Sequence, residues 1–201
     1  MRDILLIRPA AVSDMGTIIG LINEAAAWLP SKGTDQWANP WPSESARDAR
    51  VRRGLRDRRT WIVEDRGVTV ATVTYRQNGN QKLWTPVEQR EPAVYLSRLI
   101  VTRKYAGYEI GAALIDWAGQ RGLWGWNAQW ARIDVWTTNV ALHNYYEKRG
   151  FRWIRTCDLK EPDCYPSAAL FQKPTAEIDP ESASWFRELP DSDGSLLTAE
   201  S

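Results

Sequence analysis

The feature that most constrains the fold is an apolar run over residues 93–101, which passes through a basic turn into a glycine-containing helix. Nearly continuous apolar residues indicate a strand buried on both faces. The following helix is predicted over about Gly107–Ala118, with Gly111 in its first turn. Exposed N–H groups at such a helix N-terminus attract anions, so this unit is typical of phosphate binding. The two glycines are equally consistent with a tight turn and close helix–strand packing.

Strands and helices alternate along the rest of the chain. Apolar periodicity predicts strands at residues 4–7, 61–63, 68–75, 131–136, 151–156 and 168–172. Helices are predicted over residues 18–29, 44–58 and 140–149. A polar loop is predicted over residues 76–91. The adjacent short strands are too numerous for a purely doubly wound sheet, and we therefore predict a mixed α/β fold.

Composition excludes several functional classes. Of the 201 residues, 43% are hydrophobic and 25% are charged, which is globular composition. No apolar run reaches the roughly 18 residues of a membrane helix, and no secretory segment follows Met1. We therefore expect a cytoplasmic protein without a membrane partner. Two cysteines and one histidine, His143, are too few for a zinc site of the usual type, and no metal is expected.

Charge is divided between a basic body and an acidic C-terminal segment. The whole chain has a net charge of +1, whereas residues 174–201 contain seven acidic residues and one arginine. Because this segment also contains three prolines, one glycine and five serines, we predict a single domain over 1–173 and a flexible acidic tail over 174–201. Trp185 and Phe186 are candidates to anchor the tail as a short helix.

A second informative segment, residues 139–151, follows the strand predicted at 131–136. Asn139 is placed to cap its helix and Gly150 to end it, and Asn139 and Tyr146 lie about two turns apart on one face. In this order and spacing, the two segments resemble the GNAT superfamily of N-acetyltransferases. The first is similar to its pyrophosphate-binding motif and the second to its Asn-(x)6-Tyr-Glu-Lys-x-Gly-Phe helix. The resemblance covers about residues 4–173 and implies a central mixed, mostly antiparallel sheet flanked by helices on both faces.

The resemblance implies acetyl-CoA as the cofactor and assigns its binding residues by position. Backbone groups of Leu99, Ile100 and Val101 would bind the pantetheine arm. Asn139 would touch the pantetheine or cap the helix that does. Residues of the turn and of the helix start would bind the pyrophosphate, namely Arg103, Gly107, Tyr108, Glu109, Ile110, Gly111 and Ala112.

Two residues depart from the family pattern Arg/Gln-x-x-Gly-x-Gly/Ala. Ala106 replaces its basic or amide residue, and Glu109 replaces a glycine. A carboxylate facing the pyrophosphate would repel it, whereas one facing solvent gains ~0.3–1 kcal/mol from the helix dipole. We therefore expect Glu109 to point outward.

The resemblance also implies catalytic roles. Tyr146 lies where the family often has a tyrosine that protonates the departing CoA thiolate, and Asp134 where some members have a carboxylate general base. Tyr146 is alternatively an aromatic on a buried helix face, and Asp134 alternatively pairs with an arginine or faces solvent. His143, on the same helix as Tyr146, is a further candidate for the site.

The acceptor is expected beside the segment that joins the first two helices. Trp37, Trp41 and, on the central strand, Tyr95 are the predicted substrate residues. Such rings hold a cationic or flat amine by cation–π contacts of ~0.5–2 kcal/mol, or they only pin the loop to the core. We predict direct transfer of an acetyl group from acetyl-CoA to a primary amine of a small molecule, in a ternary complex. A homodimer is left open.

Two other classes of function stay open at this point. Ala106 and Glu109 suggest a non-catalytic acyl-CoA-binding regulatory domain. The arginine-rich helix 44–58 suggests a nucleic-acid-binding protein, because a row of arginines can neutralise phosphates. No nucleic-acid motif accompanies this helix, and such helices are often solvated faces, so nucleic acid is not expected as a partner.

Overall fold

An eight-stranded mixed sheet forms the centre of the computed structural model, which describes residues 5–159 and 166–189. Its strands are β1 (Leu5–Pro9), β2 (Thr60–Asp65), β3 (Val68–Arg76), β4 (Ala93–Val101), β5 (Trp130–Val135), β6 (Arg152–Thr156), β7 (Ala169–Pro174) and β8 (Phe186–Glu188). The helices are α1 (Met15–Trp28), α2 (Glu44–Arg56), α3 (Pro86–Arg90), α4 (Ile110–Trp126), α5 (Val140–Glu147) and α6 (Pro180–Ala183). The predicted fold class is confirmed.

The strand order is β6-β7-β5-β4-β3-β2-β1-β8, and the pairs β4–β5 and β1–β8 are parallel while the others are antiparallel. The β4–β5 pair runs only from Ala93 opposite Trp130 to Leu96 opposite Ile133. Among the described residues, none therefore pairs with residues 97–101 of β4 on the β5 side. This divergence opens a cleft in the middle of the sheet.

A β-bulge lies in β4 at the start of the cleft. Thr74 pairs with Ser97 and Thr72 with Ile100, so two residues of β4 lie opposite one of β3. Arg98 within the bulge has a φ of 49°, in the left-handed region. Bulges bend a strand and re-aim its side chains. Here the bulge turns the course of β4 where it leaves β5.

Apolar layers cover both faces of the sheet. One face packs against α4 through Leu114 and Trp117, and the other packs against α1 and α2 through Ile18 and Val51. These helices follow the apolar spacing of the sequence. The site described below lies on the α1–α2 face.

Helix α4 begins three residues later than predicted and ends eight residues later, at Trp126, because Gly119 and Gly122 serve close packing inside it. A Cβ at Gly119 would stand 2.1 Å from Ile178 Cδ1, and one at Gly122 would stand 2.8 Å from Val94 Cβ. Trp126 in the last turn donates to the Ala93 carbonyl at 3.1 Å.

The segment 76–91 differs from the predicted polar loop. Trp84 within it is only 1% exposed, and α3 follows directly. The Thr85 hydroxyl accepts the Glu88 N–H at 3.3 Å, and the Glu88 carboxylate accepts the Thr85 N–H at 2.8 Å. This reciprocal pair is a capping box, so the sequence Thr-x-x-Glu carried a helix signal here.

The C-terminal segment also differs from the prediction. Residues 175–189 are folded: α6 packs on α4, and β8 pairs with β1 through Leu5 opposite Phe186. Phe186 is buried, and Glu188 accepts the Trp117 indole N–H at 2.8 Å. The predicted flexible tail is therefore wrong for 175–189, because its apolar residues find a place on the body. Residues 190–201 lie outside the described part of the chain.

Among residues 5–159 and 166–189, no helix is long and apolar enough to cross a membrane, and no group of His, Cys, Asp and Glu side chains could hold a metal ion.

Candidate active site

The N-terminus of α4, where β4 turns into the helix, has the geometry of an anion-binding site and is called the anion site below. Gly107 has a φ of 84° and Glu109 a φ of 62°. The first intrahelical hydrogen bond runs from the Ala113 N–H to the Glu109 carbonyl at 3.0 Å. The amides of residues 110–112 precede it and carry the positive end of the helix dipole. Loop and helix start therefore fit a diphosphate group.

The Glu109 carboxylate forms an ion pair with Arg149 and is 47% exposed. The Arg149 guanidinium also lies over the Tyr145 ring, 5.1 Å from its centroid. Gly111 admits this ring, because a Cβ there would stand 2.9 Å from the Tyr145 hydroxyl oxygen. A neighbouring cation thus offsets the charge of Glu109, which reduces its repulsion of a bound diphosphate.

Arg103 and Tyr108 occupy different surroundings beside this turn. The Arg103 guanidinium lies 3.8 Å from the Trp28 ring centroid, and its backbone N–H donates to Glu24 Oε1 at 2.9 Å. Tyr108 is 67% exposed. The turn is therefore fastened to α1, and Tyr108 projects from its outer side.

The open edge of β4 leads from the anion site into the cleft. Ile100 pairs with Thr72 on the β3 side and is 6% exposed, and Leu99 and Val101 pack partly on the α4 layer. No strand in the described part of the chain pairs with the β5-facing edge of residues 97–101. An unpaired strand edge offers main-chain hydrogen bonds to an extended ligand.

A cavity of about 740 Å³ lies on the α1–α2 side of the cleft. Its walls are α1, the connection at residues 36–41, α2, α5 and the ends of the strands β3, β4 and β5. Four of the predicted catalytic and substrate residues line it, namely Tyr146, Asp134, Trp37 and Trp41. The fold brings these residues together from three separate parts of the chain.

Tyr146 is 3% exposed and packs edge-on against Phe151 at 5.5 Å between ring centroids. Burial raises the pKa of its phenol well above the usual value, and the charges of Tyr145 and Asp134 raise the pKa further. The phenol therefore stays protonated through the physiological range. It therefore holds a proton that it can donate and cannot act as a base, and the raised pKa makes it a weaker acid than a free phenol.

Asn139 links the start of α5 to the connection between α1 and α2. Its side-chain oxygen accepts the Leu142 N–H at 2.9 Å, which confirms the predicted helix cap. Its amide nitrogen donates to Gln36 Oε1 at 2.6 Å. Both Asn139 and Gln36 are buried.

A second contact holds the same connection in place. Asp35 accepts the Thr138 hydroxyl at 2.6 Å and the Trp136 indole N–H at 2.8 Å. These two donors lower the pKa of the Asp35 carboxyl. The connection is thus fastened to the β5–α5 turn, and one wall of the cavity is fixed relative to Tyr146.

Tyr95, predicted as a substrate residue, does not line this cavity. It is 2% exposed, its hydroxyl accepts from the Arg132 guanidinium at 3.0 Å, and its ring meets Trp84 edge-on at 5.5 Å. Arg132 is fully buried and needs such partners. Tyr95 therefore belongs to the core.

Trp37 and Trp41 do not form the open cation-binding surface that the sequence suggested. The Arg50 guanidinium lies 5.7 Å from the Trp41 ring centroid, and Trp37 packs partly against the α1–α2 layer. His143 bonds the Trp136 carbonyl at 2.9 Å and does not line the cavity. The rings of Trp37, Trp41 and His143 therefore contact other residues of this protein.

The cavity wall also contains a set of basic side chains that the sequence pattern does not place there. They come from α2, from the turn between α2 and β2, from the end of β3 and the segment after it, and from the bulge of β4, namely Arg47, Arg50, Arg53, Arg59, Arg76, Lys82 and Arg98. Arginines on α2 were noticed, but as a nucleic-acid surface. Arg98 lies inside an apolar strand pattern, and nothing in that pattern signals the bulge.

A sheet that divides between two parallel strands, beside a helix N-terminus open to a diphosphate, is the architecture of a CoA-dependent acyltransferase. The family described as acetyltransferase (GNAT) family matches residues 16–151. The chain belongs to this family.

One curated protein and two solved structures are similar to this chain. The uncharacterized N-acetyltransferase YesJ of Bacillus subtilis (strain 168) is 26% identical over 149 residues, which is 73% of this chain and 81% of YesJ. A GNAT-family acetyltransferase from Listeria monocytogenes is 22% identical, with a TM-score of 0.65 over 85% of this chain and 94% of its own. The PaiA N-acetyltransferase of Thermoplasma acidophilum, solved in complex with coenzyme A, is 16% identical, with a TM-score of 0.56 over 85% of this chain and 98% of its own.

Proposed function

We propose that this protein is an acetyl-CoA-dependent N-acetyltransferase that transfers the acetyl group directly to a primary amine of a small molecule. One observation carries the proposal: the cleft between β4 and β5 joins the anion site at α4 to a cavity lined by Tyr146 and Asp134. A cofactor and an acceptor that entered from the two sides would meet in this cleft. That arrangement supports direct transfer in a ternary complex.

The residues around the cleft fit the cofactor. The open edge of residues 99–101 would hold the pantetheine arm by main-chain hydrogen bonds, and the amides at 107–112 would hold the diphosphate. Arg103 would add positive charge beside the turn, and Asn139 would fix the helix that faces the pantetheine. The bound cofactor supplies an activated acetyl thioester.

Backbone and side-chain groups of the protein would then take part in the acetyl transfer. A backbone N–H of the open β4 edge can donate to the carbonyl oxygen as negative charge develops on it. Asp134 accepts a proton from the acceptor ammonium group, which makes the amine nucleophilic. As the new C–N bond forms and the C–S bond breaks, Tyr146 would deliver its hydroxyl proton to the departing thiolate, and its phenolate would take up the proton that the acetylated nitrogen releases. Trp37 and Trp41 form part of the wall around the acceptor.

Acetyl-CoA incubated with the protein and a panel of primary amines tests the proposal. Mass spectrometry and thiol release should report one N-acetylated product for each free CoA. CoA binding without transfer to any amine would instead favour the non-catalytic acyl-CoA-binding domain. The departures Ala106 and Glu109 are the reason to include that outcome.

A further inference from the structure

We infer, on the basis of the proposed function, that the acceptor amine also carries an anionic group, a carboxylate or a phosphate, which binds the arginines of the cavity wall. The inference concerns the acceptor side of the cleft only. It differs from the expectation of a cationic amine held by aromatic rings.

The first observation is the charge of the cavity. Among the described residues, seven basic side chains line it, against three acidic ones, Glu44, Asp57 and Asp134. A cavity of one sign concentrates ligands of the opposite sign and disfavours its own. A polyamine would therefore meet net repulsion, whereas an acceptor with a carboxylate or phosphate would be attracted.

The second observation is that the protein neutralises only part of this charge. Arg47 pairs with Asp48 at 2.8 Å, and Arg59 pairs with Asp57 at 3.7 Å. Within residues 5–159 and 166–189, Arg53 has no ion pair and Arg76 has none either. The Arg76 Nε, moreover, is buried and makes no hydrogen bond to the described residues.

The third observation is that the fold accommodates a guanidinium at the cleft itself. Arg98 has a φ of 49° in the bulge of β4, next to Leu99, and its Nε donates to Thr74 Oγ1 at 3.3 Å. Gly54 of α2 leaves room for it, since a Cβ there would stand 3.1 Å from Arg98 Nη2. A glycine inside a helix and a left-handed arginine both cost stability. That both Gly54 and the left-handed Arg98 are present indicates that the Arg98 guanidinium has a function at the cleft.

Arginine side chains favour ligands that carry a carboxylate or a phosphate. A guanidinium presents a planar fork of donors that matches carboxylate and phosphate oxygens. With the anion held by Arg98, Arg53 and Arg76, the amine of the same molecule would reach toward Asp134. Trp41 cannot compete for the amine on the ring face that Arg50 covers.

The test compares acceptor pairs that differ only in charge, phosphoethanolamine against ethanolamine and glucosamine 6-phosphate against glucosamine, with spermidine as the polycation. In steady-state assays we expect kcat/KM for the anionic member to exceed that of its neutral partner by at least about tenfold. Equal or better use of the neutral amines or of spermidine would overturn the inference.

Substitutions of single arginines show which side chains cause the preference for the anionic acceptor. Arg53→Gln and Arg98→Gln should reduce the preference for the anionic member to near unity without changing the affinity for CoA, and Arg98→Lys should restore part of it. Arg52→Gln is the matched control, because Arg52 lies on the same helix, is exposed and does not line the cavity. An unchanged preference in Arg53→Gln and Arg98→Gln would contradict the assignment, and Arg53, being exposed, can be changed without a risk to folding.

A binding measurement separates this inference from the proposed function. Calorimetry of phosphoethanolamine and ethanolamine with the CoA-saturated protein needs no turnover. If no amine is acetylated but phosphoethanolamine binds, and binds more weakly to Arg53→Gln, the transferase proposal fails and the arginine site in the acceptor cavity stands. If acetyl transfer occurs and phosphoethanolamine has no advantage in binding or turnover, the arginine site fails and the transferase stands.

Discussion

The amide nitrogen of Asn139 lies 2.6 Å from Gln36 Oε1, so the residue that caps α5 also holds the connection between α1 and α2. Tyr146 follows on the same helix, and the connection forms a wall of the acceptor cavity. One side chain thus sets the position of a proposed proton donor relative to the acceptor. Catalysis is sensitive to such positioning.

Asn139→Ala should lower the free energy of unfolding by about 1 kcal/mol through the lost cap. It should also raise KM for the acceptor, because the connection loses its contact with α5. Asn139→Asp is the control: it keeps a capping oxygen but cannot donate to Gln36. Urea denaturation and steady-state kinetics should show stability recovered in Asn139→Asp and KM still raised. Equal KM values in all three proteins would contradict the coupling.

Tyr146→Phe should lower kcat by about 10²–10⁴-fold, the usual contribution of a general acid, and leave the affinity for CoA unchanged. The phenol is buried and its pKa is raised, so the wild-type enzyme should keep its proton donor at all pH values below about 10. Tyr145→Phe removes a hydroxyl from the neighbouring ring and should have a much smaller effect on kcat. Stopped-flow measurement of thiol release checks both variants. Unchanged turnover in Tyr146→Phe would remove this residue from the mechanism.

Gly54→Ala should destabilise the protein although alanine favours helices. The added Cβ would stand 2.7 Å from Thr60 Oγ1 and 3.1 Å from Arg98 Nη2, so the contact between α2 and the sheet must shift. Gly20→Ala on α1 is the matched control, because nothing lies within 4 Å of a Cβ there. That control should gain about 0.5–1 kcal/mol. Thermal unfolding of both variants should show opposite signs, and two stabilised variants would contradict the close approach of Arg98 to α2.

Glu88 should contribute to stability in a pH-dependent way. Its bond with the Arg155 guanidinium lowers the pKa of Glu88 from 4.5 to about 2. Since the folded-state pKa is the lower one, this contribution is complete above about pH 4.5 and is lost as the pH falls toward 2. Glu88→Gln should therefore flatten the acid limb of a plot of unfolding free energy against pH. The same slope in wild type and variant would contradict the role of this pair.

Local sequence patterns predicted the elements that position the cofactor site. The bounds of β4 follow from its continuous apolar run, and the cap of α5 follows from an asparagine placed before a helical periodicity. Both signals are carried by neighbouring residues. They do not depend on how distant parts of the chain meet.

The acceptor cavity was not predictable in the same way. Arg53, Arg76 and Arg98 come from three elements, and only the bulge and the α2–sheet packing bring them to one wall. Tyr95 was misassigned because alternation along β4 cannot show that a buried arginine, Arg132, lies beside it. The folding of residues 175–189 likewise depends on a free edge of β1 that local composition does not reveal.

Titration of coenzyme A into the protein in a calorimeter tests the central claim most directly, with pantetheine as the comparison ligand. Pantetheine keeps the arm proposed to lie on β4 and lacks the diphosphate proposed to lie on the amides at the start of α4. The account predicts saturable heat from coenzyme A and an affinity for pantetheine at least about tenfold lower. No heat from coenzyme A at about millimolar concentration, with the protein shown to be folded, would contradict it.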